Sequence, residues 1–329
     1  MRSCIILMTN NPFAGSRKLL IGRRSEIDQF EQRVIKNAQS ISIIGLPCVG
    51  KSLLVNAVLH SQKRTLQEKR IIPIEISLTA EEFHTHASLF LLLVKRCKKE
   101  LTRASLLSDT ARRAADIVLQ EYDFSDVKAF FEEVYADAIH IIFIIDKFDH
   151  VGRLFPGNVQ LFQGLEDLAE QPDCNVTFVT LSFRPLSEIA AHMRSISHFH
   201  KSFLSRYLST FNDNDMEEFY QMLASVSDGV EAFPVTPELR EKFEFYCGRH
   251  PYLLDKLACE LVEVFLDVGV VDVDTSAADL EPVFSDYIKT LIDTMEGAKQ
   301  LREECNIASK LMQAVFGPAI DLTQENVQE

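Results

Sequence analysis

One octapeptide limits what this chain can become more than any other feature: Gly45, Leu46, Pro47, Cys48, Val49, Gly50, Lys51 and Ser52, reading GLPCVGKS. Before it stands ISIIG (41–45), a short β-branched run. After it stands KSLLVNAVLH (51–60), with Leu54, Ala57 and Val58 at helical spacing. A buried strand, a glycine loop and an amphipathic helix in that order make a phosphate cradle. Backbone N–H groups unhindered at the glycines wrap an anion, and the helix N-terminus adds its partial positive charge. In this pattern Lys51 reaches the β- and γ-phosphates of a nucleotide and Ser52 holds Mg²⁺. Leu53 follows in the first turn of the helix.

Three further apolar runs read as buried strands: IIPIEISL (71–78), HIIFIID (140–146) and NVTFVTLS (175–182), with SFLSRYL (202–208) as a shorter fifth. The segments between them are long enough for helices. The expected fold class is therefore α/β, a parallel sheet with helices on both faces. After Phe211 the pattern turns helical. Thr236-Pro237-Glu238 opens one helix with an N-cap hydroxyl and a first-turn proline, and Pro251 opens another. Between Glu260 and Asp286 stand eight acids and no Lys or Arg, which reads as a solvated boundary before a last helical region. The organisation expected is an N-terminal segment (1–36), a P-loop core (37–211), a helical lid (212–285) and the start of a winged-helix-like domain (286–329).

Other residues join the loop by position. A Mg²⁺-bound nucleotide needs a carboxylate at the end of a nearby buried strand, and HIIFIID ends in Asp146. The next residue, where hydrolysing enzymes place a glutamate, is Lys147; Asp149 is then the candidate base, or a solvated loop acid. Arg184, just past NVTFVTLS, is a candidate γ-phosphate sensor, or a surface arginine. The His84/His86 and His198/His200 pairs lack a third ligand in register and read as surface or packing residues. Most of the 23 phenylalanines sit in apolar patterns and read as core.

Charge and cysteines narrow the class. With 48 acids against 34 Lys and Arg the net charge is −14, which opposes sequence-independent binding to nucleic acid. The seven cysteines are scattered, with no Cys-x-x-Cys spacing, so neither a disulfide framework nor a zinc site is expected, and a reducing, cytoplasmic setting fits. No run is long and apolar enough to read as a membrane span.

Taken in order, NPF near the start, LLIGRRSEI, GLPCVGKS, IIFIIDKFD, SFRPL and CGRHPYLLDKLA resemble the STAND class of P-loop ATPases. These are AAA+-like relatives of NACHT and NB-ARC proteins, and the likeness is to prokaryotic members. The resemblance implies that Leu20, Ile21 and Gly22 line an adenine pocket and that Pro251 lies against the base from the lid. Lys147 and Phe183 depart from the class pattern, the second by interrupting a Ser-Arg-Pro. The resemblance further implies an ATP/ADP switch with Mg²⁺ and slow hydrolysis, self-association in the ATP state, and an effector or sensor partner of unknown identity. In prokaryotes such switches serve signalling or antiviral defence. Two alternatives stay open: an initiator-like DNA-binding AAA+ ATPase, which shares the GRRSEI and P-loop layout, and a nucleotide-binding scaffold that does not hydrolyse. The C-terminal residues, where Ile307, Leu311, Val315 and Phe316 form an apolar face and Thr323 a late N-cap, suggest a longer or truncated protein.

Overall fold

A computed structural model describes residues 21–79, 89–155, 161–193, 199–227 and 231–296, with the backbone alone for 292–296. Leu20, His84, His86, His198, the NPF segment and the C-terminal apolar face lie outside the described residues.

Residues Arg24–Gly45 and Lys51–Leu208 form one compact unit. In chain order it holds α1 (Arg24–Phe30, continued by a π-helical stretch, Glu31–Lys36), β1 (Ile41–Ile44), α2 (Lys51–Ser61), α3 (Lys63–Glu68), β2 (Ile71–Ser77), α4 (Leu89–Arg103), α5 (Asp109–Gln120) and α6 (Phe124–Ala136). Then follow β3 (His140–Asp146), α7 (Val151–Leu154), α8 (Leu161–Glu170), β4 (Val176–Ser182), α9 (Leu186–His192) and β5 (Leu204–Tyr207). All neighbouring strands pair in parallel, in the order β2-β3-β4-β1-β5. The burial follows from that order. The inner strands β4 and β3 are buried nearly throughout, as their unbroken Ile, Val and Phe runs require, while the edge strands β2 and β5 are partly exposed.

Phenylalanine fills one face of the sheet. Phe143 on β3 and Phe178 on β4 stack at 5.7 Å, and Phe131 and Phe199 meet them edge-on at 5.8 and 6.4 Å. Each buried ring contributes about 1.5–3 kcal/mol from area, and each such ring pair roughly another 0.5–1.5 kcal/mol. The expectation of a phenylalanine core therefore holds in this unit. Ser108 and Asp123 cap α5 and α6, accepting from Ala111 N and Ser125 N.

The other unit takes residues 21–23, Leu46–Gly50 and the chain from Ser209 on. Its helices are α10 (Asp213–Ala224), α11 (Pro237–Cys247), α12 (Pro251–Val268), α13 (Val273–Asp279) and α14 (Glu281–Glu296). The starts read from Thr236-Pro237 and Pro251 are as expected; the Thr236 hydroxyl accepts from Leu239 N. Asn212 and Asp215 make a reciprocal capping box on α10. The acids from Glu260 to Asp286 lie on or beside helices whose Leu261, Val273, Ala277, Phe284 and Ile288 share one apolar core; Gly269 ends α12, Asp272 caps α13, and α14 runs across residue 285.

Two titratable groups, one buried and one partly buried, contribute to stability in opposite senses as pH falls. His140, at the start of β3, lies 2.8 Å from the Thr177 hydroxyl, which itself donates to the Ala38 carbonyl; Nε2 of the imidazole is therefore the donor. Burial lowers its pKa to about 4, so it is neutral when folded and weakens the sheet unit as pH falls from 6.5 through 4. Asp255 on α12 is the reverse case. Burial raises its pKa to about 6, against the pull of Lys256, so its contribution is greatest below the unfolded value of 3.8 and is lost as pH rises through 6. Asp255→Asn is therefore expected to raise the melting temperature at pH 7.5, with the gain fading by pH 4. Calorimetric melts across that range check it, and an unchanged melt at pH 7.5 would contradict the assignment.

Candidate functional site

In a parallel sheet every strand ends at the same edge, so the register decides which side chains collect there. Ile44 pairs with Ser182 and Ser77 with Asp146, placing the ends of β1, β2, β3 and β4 side by side. The strand carrying Asp146 is not next to the strand that feeds the phosphate loop; β4 lies between them. At about 4.8 Å per strand, β1 and β3 are roughly 10 Å apart. Helix α2 closes that distance. It delivers Ser52, whose hydroxyl donates to Asp146 Oδ2 at 3.1 Å. A hydroxyl beside a carboxylate is the oxygen donor set that Mg²⁺ takes, so the two residues fit that ion. The other carboxylate oxygen, Oδ1, is held by Lys147 N at 2.8 Å.

At the start of the loop Gly45 N donates to Ser182 O at 3.1 Å, tying its first residue to the neighbouring strand. Lys51 Nζ donates to the Gly45 carbonyl at 2.8 Å, spanning the loop from its helical end. Within the loop Cys48 and Gly50 adopt φ of +59° and +102°. Glycine takes such a value without strain; Cys48 does so at a cost. Left-handed residues alternating with ordinary ones curl a backbone so that its N–H groups converge, which is what an anion cradle needs.

Beside Ser52 and Asp146 is a pocket of about 80 Å³, also lined by Asn56 of α2 and by Glu75 and Ser77 of β2. None of these three is singled out by the sequence motifs. Glu75 could have been noticed as the lone acid in the apolar run of β2.

Asp149, the candidate base, is engaged at the turn after β4. Its carboxylate accepts from Phe183 N at 2.7 Å and Arg184 N at 2.9 Å, and it lies 3.5 Å from Arg184 Nε. Two backbone donors and a guanidinium engage both oxygens. Asp149 thus organises the turn after β4, with the Ser182 hydroxyl closing it onto the Arg184 carbonyl at 2.7 Å. Lys147 is exposed, with a left-handed backbone at φ +57°.

The remaining predicted residues belong to the helical unit. Ile21 packs on its apolar core. Gly22, at φ +65°, sits so close to the N-terminal turn of α10 that a Cβ there would lie 2.1 Å from Asp215 Oδ1, so only glycine fits. That same oxygen accepts from Arg23 N at 2.9 Å. The buried Arg23 side chain donates to the Ser209 carbonyl and lies 5.1 Å from the centre of the Phe211 ring. Pro251 is the first residue of α12. Leu46 and Cys48 are exposed, Val49 is buried, and Pro47 meets Tyr287 of α14. Among the described residues no cluster of three or more His, Cys, Asp or Glu could hold a metal ion by itself, and no helix is long and apolar enough to cross a membrane.

No family model matches the chain, and no curated protein matches it. Solved structures do. The Walker-type ATPase PABY2304 of Pyrococcus abyssi is similar over 86% of this chain and 78% of its own, at a TM-score of 0.57 and 14% identity. The ORC2 protein of Aeropyrum pernix, in ADPNP-ADP complexes, is similar over 80% of this chain and 68% of its own, at 0.54 and 13%. Drosophila ORC bound to DNA is similar over 86% of this chain and 70% of its own, at 0.51 and 14%. At these identities the likeness speaks for the fold alone: a parallel P-loop sheet with helices, followed by a helical region, is the fold of Walker-type and ORC ATPases.

Proposed function

We propose that this protein binds ATP and ADP with Mg²⁺ in the Gly45–Ser52 loop and acts as a slowly hydrolysing nucleotide switch of the STAND kind. The observation carrying this reading is the 3.1 Å approach of Ser52 to Asp146 at the mouth of a loop whose Cys48 and Gly50 are left-handed. Backbone N–H groups from Cys48 to Leu53 and the ammonium of Lys51 bind and orient the phosphates. Mg²⁺, when bound to Ser52 and Asp146, offsets phosphate charge. Arg184, at the end of the strand between β1 and β3, senses the terminal phosphate through the turn that Asp149 holds. Ile21, Gly22 and Pro251 line the base. Exchange of ADP for ATP then shifts the equilibrium between two arrangements of the units and promotes self-association, which signals to an effector.

Slow turnover is part of the proposal. Lys147 stands where a hydrolytic glutamate belongs, and both Asp149 oxygens are occupied by Phe183 N and Arg184 N.

The likeness to ORC structures, one of them bound to DNA, favours a second reading as an initiator-like ATPase. The net charge of −14 weighs against it. Binding of duplex DNA at moderate salt separates the two: micromolar or tighter binding selects the initiator.

Lys51→Ala is expected to weaken ATP binding roughly 10- to 150-fold while leaving the fold intact, the loss of charge-assisted contacts of roughly 1.5–3 kcal/mol. Calorimetric titration checks this, and unchanged affinity defeats the proposal. Steady-state turnover is expected to be slow in the natural chain and to rise in Lys147→Glu. Asp149→Asn is expected to lower it by disordering the turn at Arg184, with a rise in the KM for ATP that loss of a base alone would not produce. Fast turnover that persists in Asp149→Asn would contradict this part of the account.

A further inference from the structure

We infer that Tyr287 and His250 are positioning residues for the phosphate loop, holding the Pro47–Cys48 peptide in the orientation that presents the Cys48 N–H to a phosphate. This rests on the nucleotide-binding reading above and extends it to two residues that no motif marks.

Tyr287 projects from α14 and is 5% exposed; His250, 3% exposed, is the residue before Pro251 at the start of α12. The Tyr287 hydroxyl lies 3.1 Å from the Pro47 carbonyl oxygen and 2.7 Å from His250 Nε2. A phenol has one proton to give, and a carbonyl can only accept. The hydroxyl therefore donates to Pro47 and accepts from the imidazole, which fixes the proton of His250 on Nε2. Burial, followed by the nearby Cys48, raises the pKa of the phenol, which keeps it a donor. The result is a directed relay, His250 N–H to Tyr287 O–H to Pro47 C=O, in which each bond polarises the next. The rings are packed as well: Tyr287 lies 4.9 Å from His250 and 5.4 Å from Tyr252, centre to centre.

The relay acts on the loop through the planarity of the peptide. The Pro47–Cys48 bond is trans, so its carbonyl and its N–H point in opposite directions. A carbonyl held toward Tyr287 leaves the Cys48 N–H facing the other way. Cys48 also sits at φ +59°, a left-handed conformation that strains a residue carrying a side chain. Rotation of this one peptide plane would relieve that strain and reverse the N–H. The Tyr287 bond opposes the rotation.

The test is a double-mutant cycle in the full chain, with Kd for a fluorescent ADP analogue as readout and melting temperature as a check on folding. Tyr287→Phe keeps the ring and removes the donor, and is expected to raise Kd about two- to tenfold, the worth of one net hydrogen bond. His250→Leu is expected to weaken binding as well, and the double variant no further than Tyr287→Phe alone, since the relay acts as a unit. His250→Gln, which retains an N–H donor at that end, is expected to stay near the wild-type value. Wild-type affinity in Tyr287→Phe, or additive losses in the double variant, overturns the relay while leaving nucleotide binding standing. If Tyr287→Phe melts early, the comparison of His250→Gln with His250→Leu decides, and equal affinities reject the relay. Failure of the natural chain to bind the analogue rejects the nucleotide-binding reading, and the relay with it.

Discussion

The hydroxyl of Ser52 meets the carboxylate of Asp146 although the strands that lead to them are not neighbours. Helix α2 spans the gap that β4 leaves between β1 and β3, and the last residues of β4 stand in the middle of the sheet edge. Ser182 there serves both sides: its carbonyl accepts from Gly45, and its hydroxyl closes the turn at Arg184.

Strands and site were unequally legible in the sequence. β3 and β4 could be read to within a residue because a strand buried on both faces must be apolar at every position, and HIIFIID and VTFVTLS are close to that limit. The loop was legible because its chemistry needs glycine and lysine at fixed spacing. Strand order was not legible, since it depends on which helix crosses which face. Nor were the partners of the loop: Tyr287 is 240 positions from Pro47, and one tyrosine in an amphipathic helix looks like any other. Glu75, which shares the pocket of Ser52 and Asp146, carries no signal beyond being an acid in an apolar strand.

Asp149 has partners that its place in the sequence does not show. Three residues after a strand-end aspartate, an acid in a loop reads equally as a base or as a solvated loop acid. In the fold it is the acceptor for two consecutive backbone N–H groups, which is what allows the chain to turn sharply after β4. Lys147 is exposed on a left-handed turn beside it. The slow turnover proposed above rests on these two residues together: a lysine where a hydrolytic glutamate would stand, and an aspartate whose oxygens both accept from the backbone.

The central claim is that Gly45–Ser52 holds a nucleotide, and the most direct measurement is of what the chain carries. Protein purified without added nucleotide is denatured, and the released small molecules are identified and quantified by mass spectrometry. The account predicts ADP or ATP approaching one equivalent per chain, together with exchange for added ATP only when Mg²⁺ is present. A well-folded chain that releases no nucleotide and takes up none at millimolar ATP and Mg²⁺ would contradict it.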